Sequence, residues 1–442
     1  MIKNISLPLN LILLSYLSIT IFIFGHFYGP MLLNFFHFLN IVIFIMLIYI
    51  KKINLNLTNI NIYNVQILFC IYLIINSYFL NDDNSLSLKS IFYFRFILSA
   101  YIIYIILKRI NNLLKLISIL FLICSIFLSF DIIYQSLTGY DILGFKAGLC
   151  VYPNGEQHLD PRNCERFSGF FGDEYIAGSY LSTYGIFFLY MYFTLTKKNL
   201  INNLFIFFSL LLIIVSIIIS GERNAFLSII IILFFNLVFN KIYWKYSVIF
   251  LTVFFLIISI SSKKFNHIKY RYVDWPISII KLQDGNNFQK LLQTPWGAHF
   301  VLAYDIFQNN KIFGSGFKSF RIECKKKEYN FQNLNKKYHI DLKFSPCTTH
   351  PHNIYFEVLS EVGIVGLILF ILLLSHIIIQ PLIKNFNNFK NKELVIFSLS
   401  VIITFIFPFR PTGSFTSSVY MTNLFFFIGF YLYFVNNLKR NK

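Results

Sequence analysis

Apolar runs long enough to cross a bilayer recur along almost the whole of this 442-residue chain, and they constrain its fold more than any motif does. A helix rises 1.5 Å per residue, so roughly 20 apolar residues cover the ~30 Å of hydrocarbon. Twelve such runs can be read, over residues 7–25, 31–50, 65–80, 88–107, 113–136, 167–195, 200–220, 224–239, 247–262, 354–379, 394–409 and 419–435. In hydrocarbon the backbone amides must be paired within the segment, so each run reads as a helix. The expected fold class is an all-α polytopic membrane protein of about twelve transmembrane helices, with one large, mostly helical loop between the ninth and tenth. Composition decides against a soluble domain: charged residues make up 13% of the chain, against about a quarter in soluble proteins.

Charge sets the expected orientation. Lys51 and Lys52, Lys108 with Arg109 and Lys115, Lys197 and Lys198, Lys241 and Lys245, Lys384 with Lys390 and Lys392, and Lys439-Arg440 all fall on one side if every run crosses. The positive-inside rule makes that side, with both termini, cytoplasmic. Loops 26–30, 81–87, 138–165, 221–223, 263–352 and 410–418 then face outward. The Met-Ile-Lys start and the lack of a small-residue cleavage site predict that the first helix is retained. Four segments follow: an N-terminal bundle over 1–137, central helices over 138–262, the large outer loop over 263–352 and C-terminal helices over 353–442.

Cys70 and Cys124 fall inside apolar runs, whereas Cys150 with Cys164 and Cys324 with Cys347 lie in two outward loops. In an oxidising compartment the loop cysteines form two local disulfides; in a reducing one they are four free thiols. Arg95 and Asp131 are charges within membrane runs, and an ion pair between them is the expected way to hold both.

Polar features gather on the outward face. His350-Pro351-His352-Asn353 precedes an apolar helix, where unpaired amides and the helix dipole favour an anion and where imidazole can take or give a proton near neutral pH. The same four residues also suit a plain capping turn, with Asn353 as cap and Pro351 as breaker. Arg166 stands where the sixth run enters from outside, and Arg223 in the tight turn Ser220-Gly221-Glu222-Arg223. Either could instead snorkel to lipid headgroups. The large loop holds fifteen Lys and Arg against six Asp and Glu, net +9, a balance suited to phosphate-bearing lipids or anionic sugars and equally to a solvated lysine-rich surface. Within it, Thr294-Pro295 opens a helical pattern that ends near Gly314-Ser315-Gly316; without a preceding strand or a GxGxxG this is not a nucleotide loop. There is no Walker sequence, HExxH, zinc-spaced Cys/His set or GxSxG elbow.

His352-Asn353, nine residues, Gly363, two residues and Gly366 together resemble the signature of the O-antigen ligase and polymerase superfamily. Phe313-Gly314-Ser315-Gly316-Phe317, Ser220-Gly221-Glu222-Arg223 and Arg166-Phe167-Ser168-Gly169-Phe170 resemble further elements of it, so the likeness runs from about residue 166 to 369. Asp173-Glu174 departs from it, standing where the family more often has Pro-Asn. The resemblance implies a bacterial inner-membrane enzyme with its site facing the periplasm. It would transfer a glycan from an undecaprenyl diphosphate carrier to a hydroxyl, on lipid A core for a ligase or on another glycan for a polymerase. A protein O-oligosaccharyltransferase is a close variant, and a lipid-linked-sugar flippase the reading from another class. Arg166 and Arg223 would clamp the diphosphate as bidentate donors. His352 would act as acid or base, and His350, Asn353, Arg321 and Lys318 would contact substrate. No Asp-x-Asp pair stands ready for a metal, so no metal, cofactor or nucleic acid is expected. Glu357 and Glu361, one turn apart, would orient the histidine or cap the bundle interior, the latter being favoured.

Overall fold

The computed structural model describes residues 7–50, 64–80, 84–110, 112–149, 165–239, 244–274, 276–277, 292 and 294–437, and it is helical almost throughout. The helices are α1 (Leu9–Tyr28), α2 (Pro30–Tyr49), α3 (Asn64–Leu80), α4 (Asn84–Ile91), α5 (Phe94–Arg109), α6 (Leu113–Thr138), α7 (Ala177–Tyr180), α8 (Ile186–Leu195), α9 (Leu200–Ile219) and α10 (Arg223–Phe239). They continue as α11 (Trp244–Lys264), α12 (Asn266–Lys269), α13 (Pro295–Asn309), α14 (Phe320–Glu323), α15 (Phe331–Tyr338), α16 (Ile354–Leu374), α17 (Gln380–Asn385), α18 (Lys392–Ile406) and α19 (Ser418–Val435). Strand pairing among the described residues is confined to β1 (Gly148–Leu149) and β2 (Glu165–Arg166), antiparallel with Gly148 opposite Arg166.

Seven helical stretches among the described residues are long and apolar enough to cross a membrane, while α3 and α10 are apolar but shorter. This is a multi-pass membrane protein. The expected sixth run, 167–195, is not one helix. Gly169 and Gly172 take φ of +53° and +60°, which a continuing helix excludes. Residues 169–171 form a single 3-10 turn, and the helix begins only at Ala177, passing through a π-turn at Leu181–Gly185. Gln135 of α6 takes up a freed group there, its Oε1 accepting from the Gly169 amide at 2.9 Å, while Asp131 Oδ1 accepts from the Ile142 amide of the loop after α6 at 2.9 Å. Arg95, expected to pair with Asp131, donates to Ser418 Oγ at 2.8 Å.

The chain divides into two compact units, one of Met1–Asn111, Leu291–Val395 and Ile406–Lys442, the other of Asn112–Lys290 and Ile396–Phe405. In the first, α19 packs on α5 so closely that a Cβ at Gly429 would lie 2.8 Å from Ile103. Hydrogen bonds join its helices where hydrocarbon offers none: His37 bridges Ser99 Oγ and Thr422 Oγ1 at 2.7 Å each. The part of the large loop in this unit, residues 294–352, has a core of the soluble kind. Apolar faces of α13 and α15 meet over Ala298, Leu302, Ile306, Phe320, Leu334 and Leu342. The expected Cys324–Cys347 disulfide is formed there; Cys150 and Cys164 lie outside the described residues. In the second unit α6 packs on α8 and α9, with Phe121 stacked on Phe188 at 4.2 Å.

Candidate functional site

In the second unit, the charges of three arginines act on Tyr272, whose hydroxyl donates to the Ile217 carbonyl at 3.3 Å. Burial raises that phenol, while Arg271, Arg223 and Arg166 pull it back and Glu222 pushes it further. Each arrives by a different route. Arg166 is on β2, where Gly148 across the ladder leaves room for the Tyr175 ring. The guanidinium lies 4.6 Å over that ring and donates to the Tyr175 carbonyl at 3.1 Å. Arg223 opens α10, directly after the Gly221 turn. Arg271, 6% exposed, follows α12 and donates from Nε to the Gly221 carbonyl at 2.8 Å. Burial, then the charge of Arg166, pushes Arg271 down to about 10, so it remains a cation at neutral pH. Arg166 is likewise lowered by burial, against the pull of Glu222. Glu222 is the carboxylate acting on this cluster among the described residues. It accepts from both the amide and the hydroxyl of Ser179, at 2.8 Å for the amide. Among the described residues, three guanidiniums against one carboxylate leave a positive excess in a place from which water is largely removed.

In the first unit, the turn before α16 gathers the histidines. Asn353 caps the helix, its Oδ1 accepting from the Tyr355 and Phe356 amides at 3.0 and 3.3 Å and its Nδ2 donating to the Pro408 carbonyl at 2.7 Å. Expected among the substrate contacts, it has both ends committed to backbone, as the capping-turn reading allowed. Thr412 clamps the same turn, donating its amide to the His352 carbonyl at 2.8 Å and accepting from the Ile354 amide at 2.8 Å. These bonds hold His352 at φ +55°, a conformation that costs a non-glycine residue roughly 1–2 kcal/mol. The His350 and His352 rings lie 4.2 Å apart, with His299 of α13 at 5.5 Å from His352. His299 Nδ1 sits 2.9 Å from the Pro346 carbonyl, which can only accept, so that nitrogen carries the proton. Burial, then His350 and His299, pushes His352 down to about 3; burial, with His299 and Arg321 against the Thr412 backbone, pushes His350 down to about 4. Both are neutral bases at pH 7.

Lys318 and Arg321 lie near this turn, and Arg321 acts on both His350 and Lys318. Lys318 is lowered by burial and then by Arg321 and Lys89. The glycine motifs explain how the segment is fixed. At Gly363, φ +69°, α16 breaks, and the turn 311–316 inserts its backbone into the gap. Ile364 donates to the Lys311 carbonyl at 3.0 Å, and the Ser315 and Gly316 amides donate to Ser360 and Glu361 carbonyls at 2.9 and 2.8 Å. A Cβ at Gly363 would lie 2.2 Å from the Ile312 oxygen, and one at Gly314 2.4 Å from the Glu361 carbonyl. The Glu361 carboxylate accepts from the Lys318 and Phe320 amides at 2.6 and 3.2 Å, and that of Glu357 from Ser414 Oγ and the Phe415 amide at 2.5 and 2.8 Å. Both acids therefore cap turns in the bundle interior, the favoured of their two expected roles.

Sequence reading missed Arg271 and His299. The signal available for Arg271 was the flanking pair Tyr270 and Tyr272 just beyond a membrane helix; for His299 it was a histidine one turn into a capped loop helix. Neither signal is strong without the fold. Residues 208–371 match the family model of the O-antigen ligase, a range that takes in Arg223, Arg271, His299, Lys318, Arg321, His350, His352 and Asn353 and leaves out Arg166. No curated protein matches the chain.

Proposed function

From the match of residues 208–371 to the O-antigen ligase family model, we propose that this membrane protein transfers a glycan from a polyprenyl diphosphate, undecaprenyl diphosphate in a bacterial inner membrane, to a hydroxyl acceptor at the periplasmic face. The observation that carries the reading is the positive excess of Arg166, Arg223 and Arg271 over Glu222. A diphosphate leaving group needs charge neutralisation more than covalent help, and planar guanidiniums supply it bidentately without a metal. The acceptor oxygen attacks the anomeric carbon, the bond from that carbon to the diphosphate oxygen breaks, and the electron pair stays on the diphosphate. His352 takes the acceptor's proton, which requires the neutral imidazole that burial favours. A phosphate dianion held beside it by Arg321 raises the basicity of His352 towards the neutral range. His350, Lys318 and Arg321 contact the donor's phosphates or first sugar. Lipid A core is the acceptor of a ligase, another glycan that of a polymerase, and a protein hydroxyl that of an oligosaccharyltransferase. The test is transfer in detergent by purified protein given a polyprenyl-diphosphate-linked glycan and candidate acceptors. Wild type is expected to turn over, and His352→Ala and Arg223→Ala to insert normally but lose transfer. Near-normal transfer by His352→Ala would remove that histidine from the chemistry.

A further inference from the structure

The second unit holds a cavity of about 550 Å³ that the reading above does not use. Its volume lies in the range of about 300–1,000 Å³ typical of small-ligand sites. The walls are apolar, including Leu189 of α8, Leu210 of α9 and Ile232 of α10, and among the described residues Lys198 is the one charged residue lining it. Asn203 and Asn236 line the same end as Lys198. The Asn236 amide is committed to the Ile232 carbonyl at 2.8 Å and Ser400 Oγ at 3.2 Å, whereas Lys198 has no ion-pair carboxylate among the described residues and lies 5.6 Å over the Phe193 ring. From Asn203 to Leu210 the axis of α9 rises about 10 Å, comparable with the roughly 15 Å of hydrocarbon in one leaflet. The slot ends there: another stretch of about 14 Å of α9 separates Leu210 from Ile219 and the arginines beyond it. A slot that starts at a lysine and runs apolar for much of one leaflet complements an amphiphile with an anionic head at the Lys198 end, not one whose head sits at the arginines.

We propose that this cavity binds an anionic phospholipid from the leaflet on the Lys197-Lys198 side, with one acyl chain in the slot and the phosphate on Lys198. The inference does not rest on glycan transfer. It is tested on the purified full-length protein in detergent with a phosphatidylglycerol carrying a diazirine midway along one acyl chain. Photoadducts are expected on peptides of α8, α9 and α10. Unlabelled phosphatidylglycerol should displace the label at about fivefold lower concentration than phosphatidylcholine, the advantage of about one lysine beside an anionic lipid. Lys198→Ala, an exposed change, should abolish that preference while keeping the labelling, and Leu210→Trp should fill the slot and abolish the labelling. Equal displacement by both lipids, or a preference untouched by Lys198→Ala, overturns the proposal. So does better displacement by a polyprenyl diphosphate, which would make the cavity a site for the donor's tail. Labelling lost in a dimeric fraction and regained in the monomer would assign the slot to a second copy and likewise overturn it. Transfer activity enters none of these readouts, so their failure leaves the enzymatic reading standing.

Discussion

The arginine cluster around Tyr272 and the histidine turn before α16 both bury titratable groups, and they answer the cost of burial in opposite ways. Arg271, even pushed down to about 10, keeps its proton throughout the physiological range, so its charge must be met by carbonyls, by Glu222 or by a ligand. His350 and His352, pushed down to about 4 and 3, shed theirs. Permanent charge suits a group whose task is to hold an anion at every pH. A base that is neutral when empty suits a group that must receive a proton. The division of labour in the proposed transfer follows from that contrast, and each prediction below bears on it.

The largest expected effect falls on the histidine side. His352→Ala should lower the transfer rate by roughly 10²–10⁴-fold, the usual contribution of a positioned acid or base. Its residual activity should also lose the wild-type dependence on pH between 5.5 and 8. A residual rate that kept the wild-type profile would mean the titrating base lies elsewhere. Next comes Arg271→Ala, expected to lose roughly 10²–10³-fold, as when one preorganised donor is removed from a developing anion. Here the loss should be the same at every pH tested. Arg271→Lys should recover little of it, because an ammonium lacks the guanidinium's paired donors. Full recovery in the lysine variant would reduce the cluster to bulk positive charge and erase half the contrast.

How much of this was legible in the sequence depends on how local the cause was. Apolar runs become helices because hydrocarbon leaves the backbone no alternative, so their positions could be read directly. The Cys324–Cys347 bridge could be read as well, since it closes a loop on itself. What could not be read was decided by contacts distant in sequence. Whether 167–195 continued as a helix depended on Gln135 of α6 taking up the Gly169 amide. Gly314 and Gly363 carry little meaning singly and become necessary once the two backbones cross at them. Arg271 belongs to the cluster through the Gly221 carbonyl, fifty residues away. His352 and Asn353 were recognisable as a motif, but that one residue holds the turn and the other presents its ring emerged only with the Thr412 and Pro408 contacts.

A smaller effect should come from the disulfide. It ties the segment bearing Arg321 to the one leading into His350, over a separation of 23 residues. Closing a loop of that length stabilises by about 3 kcal/mol in the chain-entropy model. Cys324→Ser should therefore speed amide exchange, followed by mass spectrometry, across 295–352 while leaving α9 and the start of α10 unchanged. Equal acceleration in both places would show that the histidine turn has no local stability of its own to lose.

The smallest effect is a slope. The unfolded chain protonates His350 and His352 near 6.5, whereas the folded protein resists until about 4 and 3. Between those values the unfolded state binds more protons, so stability is fully present above pH 6.5 and is lost as pH falls through the window. Each histidine contributes at most about 1.4 kcal/mol per pH unit there. The melting temperature of the purified protein should thus fall from pH 7 to pH 5, and more shallowly in a His350→Asn/His352→Asn double variant. Arg271→Ala should leave the slope alone, because arginine titrates in neither state across that range. If instead the arginine variant flattens the slope and the histidine pair does not, the assignment of permanent charge to one region and exchangeable protons to the other is wrong.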